Sequence, residues 1–387
     1  MPSRTSRRQD MTRRDRLMRT LRGEAVDRPP VCFYEINGHD ERPDNPDPFN
    51  IYTHPSWRPL IELARDHSDR IVMRSVSFNG VLPDPVDAAS TTETVIRDGS
   101  RHTTTTVRIG SRVLTARTRR DPDVNTVWTT EHLLKSVEDL EAYLSLPAPA
   151  RDTTPHVQPV LDTEAALGDT GIVMVDTADP LCLAAMLFSM EDYTIIALTE
   201  PALFHRLLER CAARLWRHTE QVARALPGRL WRICGPEYAA PPYLPPRLFR
   251  EYVVRYVTPM IEAIHAHGGY ARIHSHGRLR DIIDDIAGTG CDGLDPIEPP
   301  PQGDMTLREV RARHGRQLVL FGNLEASDLE NLPEKEWAGK VRQALDEGTA
   351  GKGRGFVLMP SASPYGRVLS PRTMKNYDIM IEIATAR

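Results

Sequence analysis

Short apolar runs alternate with longer helical stretches along most of this chain. Eight such runs stand out among the 387 residues, at positions 30–36, 70–76, 171–177, 230–237, 270–276, 293–298, 318–325 and 355–362. Strands that are apolar on both faces are typical of parallel sheets covered by helices. Eight strand–helix units predict an α/β fold, a TIM (β/α)8 barrel, whose usual length of roughly 250 residues is exceeded here because of an insertion.

Helical periodicity is clearest in the segments between these runs. In residues 247–269, apolar side chains recur every three or four positions until two glycines end the pattern. Residues 201–226 and 334–353 have the same pattern, and residues 278–290 are predicted to form the helix that follows the fifth strand.

The residues between roughly 80 and 130 have a different pattern, in which polar and β-branched residues alternate. Turn signals occur at Asp98-Gly99 and at Gly110-Ser111. This pattern predicts a β-hairpin or a small antiparallel sheet, inserted after the second strand and lying over one rim of the barrel. The proline-rich residues 144–159 would then lead back to the barrel.

The predicted organisation is therefore one barrel with two additions. Residues 1–22 form a basic segment whose first ten residues are expected to be disordered. Residues 23–387 form the barrel, with residues 80–150 as its insertion.

Composition excludes several classes of function. A net charge of −4 and a pI near 6.4 give no reason to expect binding to nucleic acid or to an anionic membrane. No run approaches the roughly 18 apolar residues of a membrane span. The five cysteines are scattered, without a CxxC pair, which indicates free thiols in a reducing compartment and predicts a cytoplasmic protein.

Two histidines and a glutamate are the strongest candidates for chemistry. His274 and His276 are two residues apart, so on a strand they share a face, at the carboxyl end of the fifth strand. Glu298 follows the sixth strand, and a set of two histidines and a glutamate with open positions suits Zn²⁺ or Fe(II). The alternative is that each is a hydrogen-bonded structural residue, because a histidine pair of this spacing also occurs by chance.

Other polar residues follow the predicted strands and are candidates for the same site. Glu237 is a candidate fourth ligand or general base, and Tyr34 and Asn323 are candidate catalytic residues. Caps and loop hydrogen bonds also favour such residues at strand ends, so structural roles stay open for all of them. The candidates for substrate binding are Glu35, Asn37, His39, Asp176, Tyr238, Ser361 and Tyr365.

From about residue 11 onward the chain resembles the uroporphyrinogen decarboxylase superfamily, which includes the corrinoid methyltransferases. The segments that carry the resemblance are "RRDRLMRTLRGEAVDRPPV", "VDTADPLCLAAMLFSMEDY", "GPEYAAPPYLPPRLFREYVVRYVTPMIEAIHAHGG", "LFGNLEASDLENL" and "GFVLMPSASP". The methyltransferase branch binds zinc through a strand-borne His-x-Cys, and the related methionine synthase adds a glutamate 22 residues after that cysteine.

The resemblance implies a metal site made of the same three residues. His274 occupies the position of the histidine, His276 that of the cysteine, and Glu298 lies 22 residues beyond it (298 − 276 = 22). The last strand has no cysteine and offers Ser361 and Ser363 instead. Nitrogen and oxygen ligands make a metal a better Lewis acid than thiolates do, which makes methyl transfer to a thiol less certain.

The resemblance implies a metal-dependent methyltransferase acting on a small polar substrate, with zinc expected first and iron or copper as alternatives. The methyl donor would be an external corrinoid on a corrinoid protein, or a small methylated amine or thiol, and a homodimer is expected. The alternatives are a metal-assisted decarboxylase or lyase, an oxidative enzyme, and a binding barrel without catalysis. True uroporphyrinogen decarboxylase activity is disfavoured, because Glu35 and His39 stand where that enzyme has arginines for its polycarboxylate substrate.

Overall fold

A computed structural model describes residues 11–80, 85–147 and 154–386. Its strands are β1 (Arg70–Arg74), β2 (Ser77–Asn79), β3 (Ser90–Arg97), β4 (Ser100–Ile109), β5 (Arg112–Arg120), β6 (Val127–Glu131), β7 (Thr154–His156), β8 (Gly171–Ala178), β9 (Leu230–Cys234), β10 (Tyr270–Ser275), β11 (Gly293–Pro296), β12 (Val319–Leu324) and β13 (Gly355–Pro360). Its α-helices are α1 (Arg13–Arg22), α2 (Arg58–His67), α3 (Pro85–Ala88), α4 (Val137–Ser145), α5 (Gln158–Leu167), α6 (Pro180–Ala185), α7 (Met190–Thr199), α8 (Pro201–Ala225), α9 (Pro246–Phe249), α10 (Arg255–Ala266), α11 (Ile283–Gly288), α12 (Leu307–His314), α13 (Ala326–Asn331), α14 (Glu334–Gly348) and α15 (Pro371–Thr385).

Seven parallel strands form the curled sheet of a TIM-like barrel, in the order β1-β8-β9-β10-β11-β12-β13. These are seven of the eight predicted strands, so the predicted fold class is confirmed. The eighth position is filled by residues 30–33, which the sequence predicts as a regular strand and which form only isolated bridges. Pro30 has no N–H to donate to a ladder, and Tyr34 leaves the extended conformation at φ 57°.

Hydrogen bonds on both sides nevertheless connect this first segment to the two ends of the sheet. The Cys32 N–H donates to the Leu358 carbonyl at 2.9 Å, and the Leu358 N–H donates to the Pro30 carbonyl at 2.9 Å. The Asp69 N–H donates to the Val31 carbonyl at 2.7 Å. Residues 30–33 therefore lie between β13 and the start of β1.

The inside of the barrel is apolar except at one end. Alternate residues of the strands form a buried inner cluster that includes Ile71, Met174, Leu230 and Phe321. A larger cluster packs the outer faces of the strands against the surrounding helices. Near the carboxyl ends of the strands, the inward positions become polar, and this change of composition places the site there.

The insertion is a four-stranded antiparallel sheet, β3-β4-β5-β6, as the alternating pattern predicts. Its first two turns fall at the predicted glycines, since β3 ends before Asp98 and β4 before Gly110. β2 and β7 pair antiparallel where the chain leaves and re-enters the barrel. Val124 bridges Gly366 in the loop after β13, so the insertion lies against the carboxyl-end rim.

Helix α8 and helix α14 match their predicted segments, and residues 246–266 form α9, a π-helical turn (Arg250–Val254) and α10 without a break. The prediction of a helix over 278–290 is wrong at its start, because only α11 is helical there. The N–H groups of Leu279 and Arg280 both donate to Asp304 Oδ1, which ties those residues to a neighbouring loop. Across the described ranges, no helix combines the length and apolar character needed to cross a membrane.

Helix α1 covers the amino end of the barrel. The Thr12 hydroxyl caps its first turn, and Gly23 ends it in the left-handed conformation at φ 72°. Arg16 extends from this helix to Asp27 and to the fully buried Asp69, at 2.6 Å in each case. Residues 1–10, for which disorder is predicted, and part of the proline-rich connector lie outside the described residues.

Candidate functional site

A continuous chain of polar contacts crosses the carboxyl end of the barrel. Arg232 Nε donates to Asp176 Oδ1 at 2.6 Å, and Arg232 Nη1 donates to the Tyr34 hydroxyl at 2.7 Å. The Tyr34 hydroxyl lies 3.4 Å from His274 Nε2, and His274 Nδ1 lies 2.8 Å from Asp295 Oδ2. Side chains from four strands and the first segment are thus connected in one network.

The strand register explains why these residues meet. His274 on β10 lies beside Cys234 on one neighbouring strand and beside Asp295 on the other. Asp176 on β8 lies beside Arg232 on β9. Residues that are level in a parallel sheet point to the same side of it, so their side chains can reach one another across the interior.

The contacts assign the protons of this network. Because Arg232 donates to the Tyr34 oxygen, the Tyr34 hydroxyl is free to donate its own proton to His274 Nε2. His274 then carries its proton on Nδ1 and donates it to Asp295. Burial raises the pKa of Tyr34, although the Arg232 charge opposes the shift, so the hydroxyl stays protonated.

Asp295 is the buried anion of the site. It is 0% exposed, and Arg272 Nε lies 2.9 Å from its Oδ1. Burial by itself raises a carboxyl pKa, but the charges of Arg272 and Arg232 and the contact with His274 outweigh it and lower the pKa of Asp295. The carboxylate is therefore ionised and compensates the Arg272 guanidinium, which is 1% exposed and also lies over the Phe321 ring.

His276 and Glu298 form a second pair beside this network. His276 Nδ1 lies 2.9 Å from Glu298 Oε1, and the Gly277 N–H donates to Glu298 Oε2 at 2.7 Å. Burial alone would lower the pKa of His276, but the hydrogen bond and charge of Glu298 and the charge of Glu237 raise it. Burial raises the pKa of Glu298, and the His276 hydrogen bond and charge reverse this, so its pKa is lowered.

The three residues predicted as metal ligands are thus brought together. The rings of His274 and His276 meet edge to face with centroids 4.6 Å apart. Each imidazole is held at Nδ1 by its own carboxylate, and Glu298 uses both oxygens to hold His276 and Gly277. Within the described ranges, no group of three or more His, Cys, Asp or Glu side chains is arranged to hold a metal ion.

Next to His276 lies a turn, Pro236–Ala239, that follows β9. Sequence reasoning places Glu237 at the end of this strand, but the strand stops at Cys234 and Glu237 lies in the turn. Its Oε2 accepts the Gly235 N–H at 3.1 Å. The Tyr238 carbonyl accepts the Tyr193 hydroxyl at 2.8 Å, and burial raises the pKa of Tyr238 to about 12.

Three residues close to this turn, Asp179, Cys182 and Cys234, were not identified as site candidates from the sequence. Asp179 is 0% exposed, caps α6 through the Cys182 N–H at 2.6 Å, and has a pKa raised well above its usual range by burial. The thiols of Cys182 and Cys234 share a hydrogen bond. That bond and burial raise the pKa of Cys182, and the same bond lowers the pKa of Cys234.

The candidates after the first segment lie in a tight loop. The Asn37 side chain is used within this loop, since its Oδ1 accepts the N–H groups of His39 and Asp40 and its Nδ2 donates to Asp40. Burial lowers the pKa of His39. Glu35 is exposed, and its N–H donates to Ser363 Oγ at 3.2 Å.

The candidates near the last two strands have other contacts, and among the described residues no hydrogen bond joins them to the imidazoles. Asn323 lines a cavity of about 60 Å³ together with Glu325 and Trp337. Ser361 is buried and accepts the Ala326 N–H at 3.1 Å, at the start of α13. Tyr365 is 57% exposed, and its carbonyl accepts the Asn125 N–H of the insertion.

One match among the solved structures supports the fold. It is a methyltransferase from Methanosarcina mazei, which matches with a TM-score of 0.61 at 16% sequence identity, over 97% of this chain and 99% of that one. A D-psicose 3-epimerase from Clostridium cellulolyticum H10, solved with D-tagatose, matches with a TM-score of 0.36 at 11% identity, over 59% of this chain and 82% of that one. No curated protein matches the sequence.

A family model provides the assignment. The model described as Uroporphyrinogen decarboxylase (URO-D) matches residues 121–383, which is more than half of the chain and includes every barrel strand from β8 to β13. This match agrees with the resemblance found in the sequence. The chain belongs to the uroporphyrinogen decarboxylase family.

Proposed function

We propose that this protein is a metal-dependent methyltransferase of the uroporphyrinogen decarboxylase superfamily, acting on a small polar substrate at the carboxyl end of its barrel. The observation that supports this most is the pair of imidazoles at the end of β10, one within the strand and one just after it, each held at Nδ1 by a carboxylate. Metal-binding histidines are typically held in this way, because the second hydrogen bond fixes the ring and raises the basicity of the other nitrogen.

By residue type the donor set suits a divalent cation, with zinc expected first and iron or copper as alternatives, although in the described structure the three side chains are not arranged around one. His274 and His276 would hold it through Nε2, which for His274 requires that this nitrogen give up the Tyr34 hydroxyl, and Glu298 completes the proposed set. Serving as a ligand requires Glu298 to give up its hydrogen bond to the His276 ring. A bound zinc acts as a Lewis acid that polarises a substrate atom.

The residues around the imidazoles have supporting roles in this proposal. Asp295 fixes the orientation and tautomer of His274 through Nδ1, and Arg232 positions the Tyr34 hydroxyl beside the other ring nitrogen. Glu237, in the turn beside His276, is the proposed general base. The methyl donor is an external corrinoid on a partner protein, as the family resemblance implies.

Metal content tests the ligand set directly. In protein purified without added metal, we expect close to one zinc ion per chain, and His274→Ala and Glu298→Gln should each lose it. His265→Ala is the matched control, because His265 belongs to a second histidine pair and contacts Asp292 instead. Full metal retention in Glu298→Gln would show that the glutamate holds His276 and is not a ligand.

Activity is tested with methylcobalamin and a panel of small thiols and amines, by following the loss of the methylated corrinoid spectrum. Turnover should disappear on chelation and return with zinc. If the parent protein holds no metal and His274→Ala does not differ from it, a binding barrel without catalysis replaces this proposal.

A second candidate function, decarboxylation or lyase chemistry on a carboxylated substrate, is favoured by Arg232. This guanidinium uses Nε and Nη1 for Asp176 and Tyr34, and Nη2 remains for a carboxylate. Small carboxylic acids should then raise the Tm of the parent protein and have no effect on Arg232→Gln. Carbon dioxide release from an acid that binds would favour this candidate over methyl transfer.

A further inference from the structure

We infer that Cys182 and Cys234 form a redox-active dithiol in the wall of the site, which closes to an intramolecular disulfide on reaction with a small disulfide. The inference does not depend on the proposed methyl transfer, because it rests on contacts that the imidazoles do not make.

The backbone brings the two thiols together from different elements. Cys234 is the last residue of β9, and its carbonyl accepts the Asp179 N–H at 2.8 Å. Cys182 lies in the first turn of α6, and its N–H donates to Asp179 Oδ1 at 2.6 Å. Asp179 therefore holds the backbone of both cysteines, which places Cys182 next to Cys234 at the end of β9.

Gly235 makes this close approach possible. It has φ 121°, and a Cβ atom placed on it would lie 2.2 Å from Cys182 Cβ. A side chain at this position would push α6 away from the end of β9 and separate the sulfurs. The absence of a side chain thus brings the helix into contact with the strand.

Two further observations set this pair apart from the remaining cysteines. Asp179 Oδ2 is buried and has no hydrogen-bond partner in the described part of the chain, which leaves an unmatched polar atom beside the thiols. The Met186 sulfur lies 3.6 Å from Cys182 Sγ, and the Met186 side chain is exposed. A third sulfur therefore lies between the pair and the surface. Ordinary core packing of small apolar thiols does not require either feature.

The reaction has a defined order because the two thiols differ in exposure. Cys182 is 8% exposed, whereas Cys234 is only partly buried, so Cys234 meets the reagent first. The Cys234 sulfur attacks the small disulfide, whose S–S bond breaks and releases one thiol. Cys182 then attacks the Cys234 sulfur, its proton goes to the second leaving thiol, and the Cys182–Cys234 bond forms. Two protein thiols are oxidised and one reagent disulfide is reduced to two thiols.

The test uses the full-length protein, folded, with 2-hydroxyethyl disulfide as the oxidant. The parent should become lighter by two hydrogen atoms, and after digestion with trypsin the peptide 233–247 should be recovered linked to the peptide 152–206. Cys182→Ser should stop at a mixed disulfide on Cys234, and Cys234→Ser should not react at this pair. Cys211→Ser is the matched control and should behave as the parent, because Cys211 has no cysteine partner in the described residues.

Measurement on the parent protein keeps the test independent of how the variants fold. A link between any other two peptides, or a mixed disulfide on Cys182 while Cys234 stays reduced, would overturn the inference. So would an unchanged parent mass under conditions in which the urea-unfolded chain reacts at all five cysteines. Metal content and methyl transfer are not part of the readout, so failure of the proposed function leaves the result unaffected.

Discussion

Replacing Asp295 by Asn tests whether a single buried anion maintains the charge balance of the site. The substitution keeps the shape of the side chain and removes its charge. Arg272 would then be a buried cation without its nearest compensating carboxylate, since the two side chains are 1% and 0% exposed. Removing one member of a buried ion pair typically costs about 3–5 kcal/mol, mostly from the uncompensated charge that remains.

The size of the effect on melting follows from the length of the chain. With about 2.1 cal/mol/K of unfolding entropy per residue, the 387 residues give about 0.8 kcal/mol/K in total. Asp295→Asn should therefore lower the Tm by about 4–6 °C at pH 7 in differential scanning calorimetry. Glu62→Gln is the control, because Glu62 pairs with Arg58 on the exposed face of α2 and its loss should cost at most about 1 kcal/mol.

The pH dependence of the stability difference between the parent and Asp295→Asn can refute this reasoning. The folded pKa of Asp295 is lowered, so its stabilisation is fully present above the unfolded value of about 3.9 and is lost as the pH falls through the folded pKa. The difference between the parent and Asp295→Asn should be constant above about pH 5 and shrink below about pH 4. A loss of less than about 1 kcal/mol at pH 7 would mean that Arg272 does not depend on this carboxylate.

Further predictions concern the glycine under the dithiol and two histidines on the outer helices. Gly235→Ala should destabilise the protein by about 3 kcal/mol or more in urea unfolding, because its Cβ would overlap Cys182. Gly99→Ala, at φ 79° with nothing within 4 Å, should cost only the roughly 1–2 kcal/mol of its backbone conformation, and equal costs would contradict the overlap. In NMR titrations, His218 should titrate near pH 4, because burial and neighbouring arginines lower its pKa, whereas Asp292 raises the pKa of His265 above 6.5. The His265–Asp292 contact should therefore stabilise the fold fully below about pH 6.5 and lose its effect as the pH rises through the folded pKa, and His265→Asn should remove that dependence.

The barrel could be predicted from the sequence because its strands are buried on both faces. Seven runs such as 171–177 and 355–362 are mostly apolar, and the structure confirms them as parallel strands. The first run has the same composition, but proline chemistry and the left-handed Tyr34 prevent a regular ladder there. Local composition identifies a buried segment, whereas hydrogen-bond pairing depends on which backbone groups are available.

The contents of the site were only partly predictable. The alternation on β10 correctly brings His274 and His276 to one face, and that alternation also contains Arg272 one step deeper. Applying the same rule to Arg232 and Cys234 on β9 would have found two further members of the site. The connection between them could not be derived, because it depends on the register between strands that are far apart in sequence.

The placement of residues 30–33 has a consequence for the nascent chain. This segment pairs with Leu358, more than 300 residues later, so a ribosome must add all of those residues before the partner exists. Of the barrel positions, this one is translated first and is filled last on that side, and the ring can close only after β13 has been made. Until then both margins of the growing sheet stay open, and the chain depends on its own early helices to shield them.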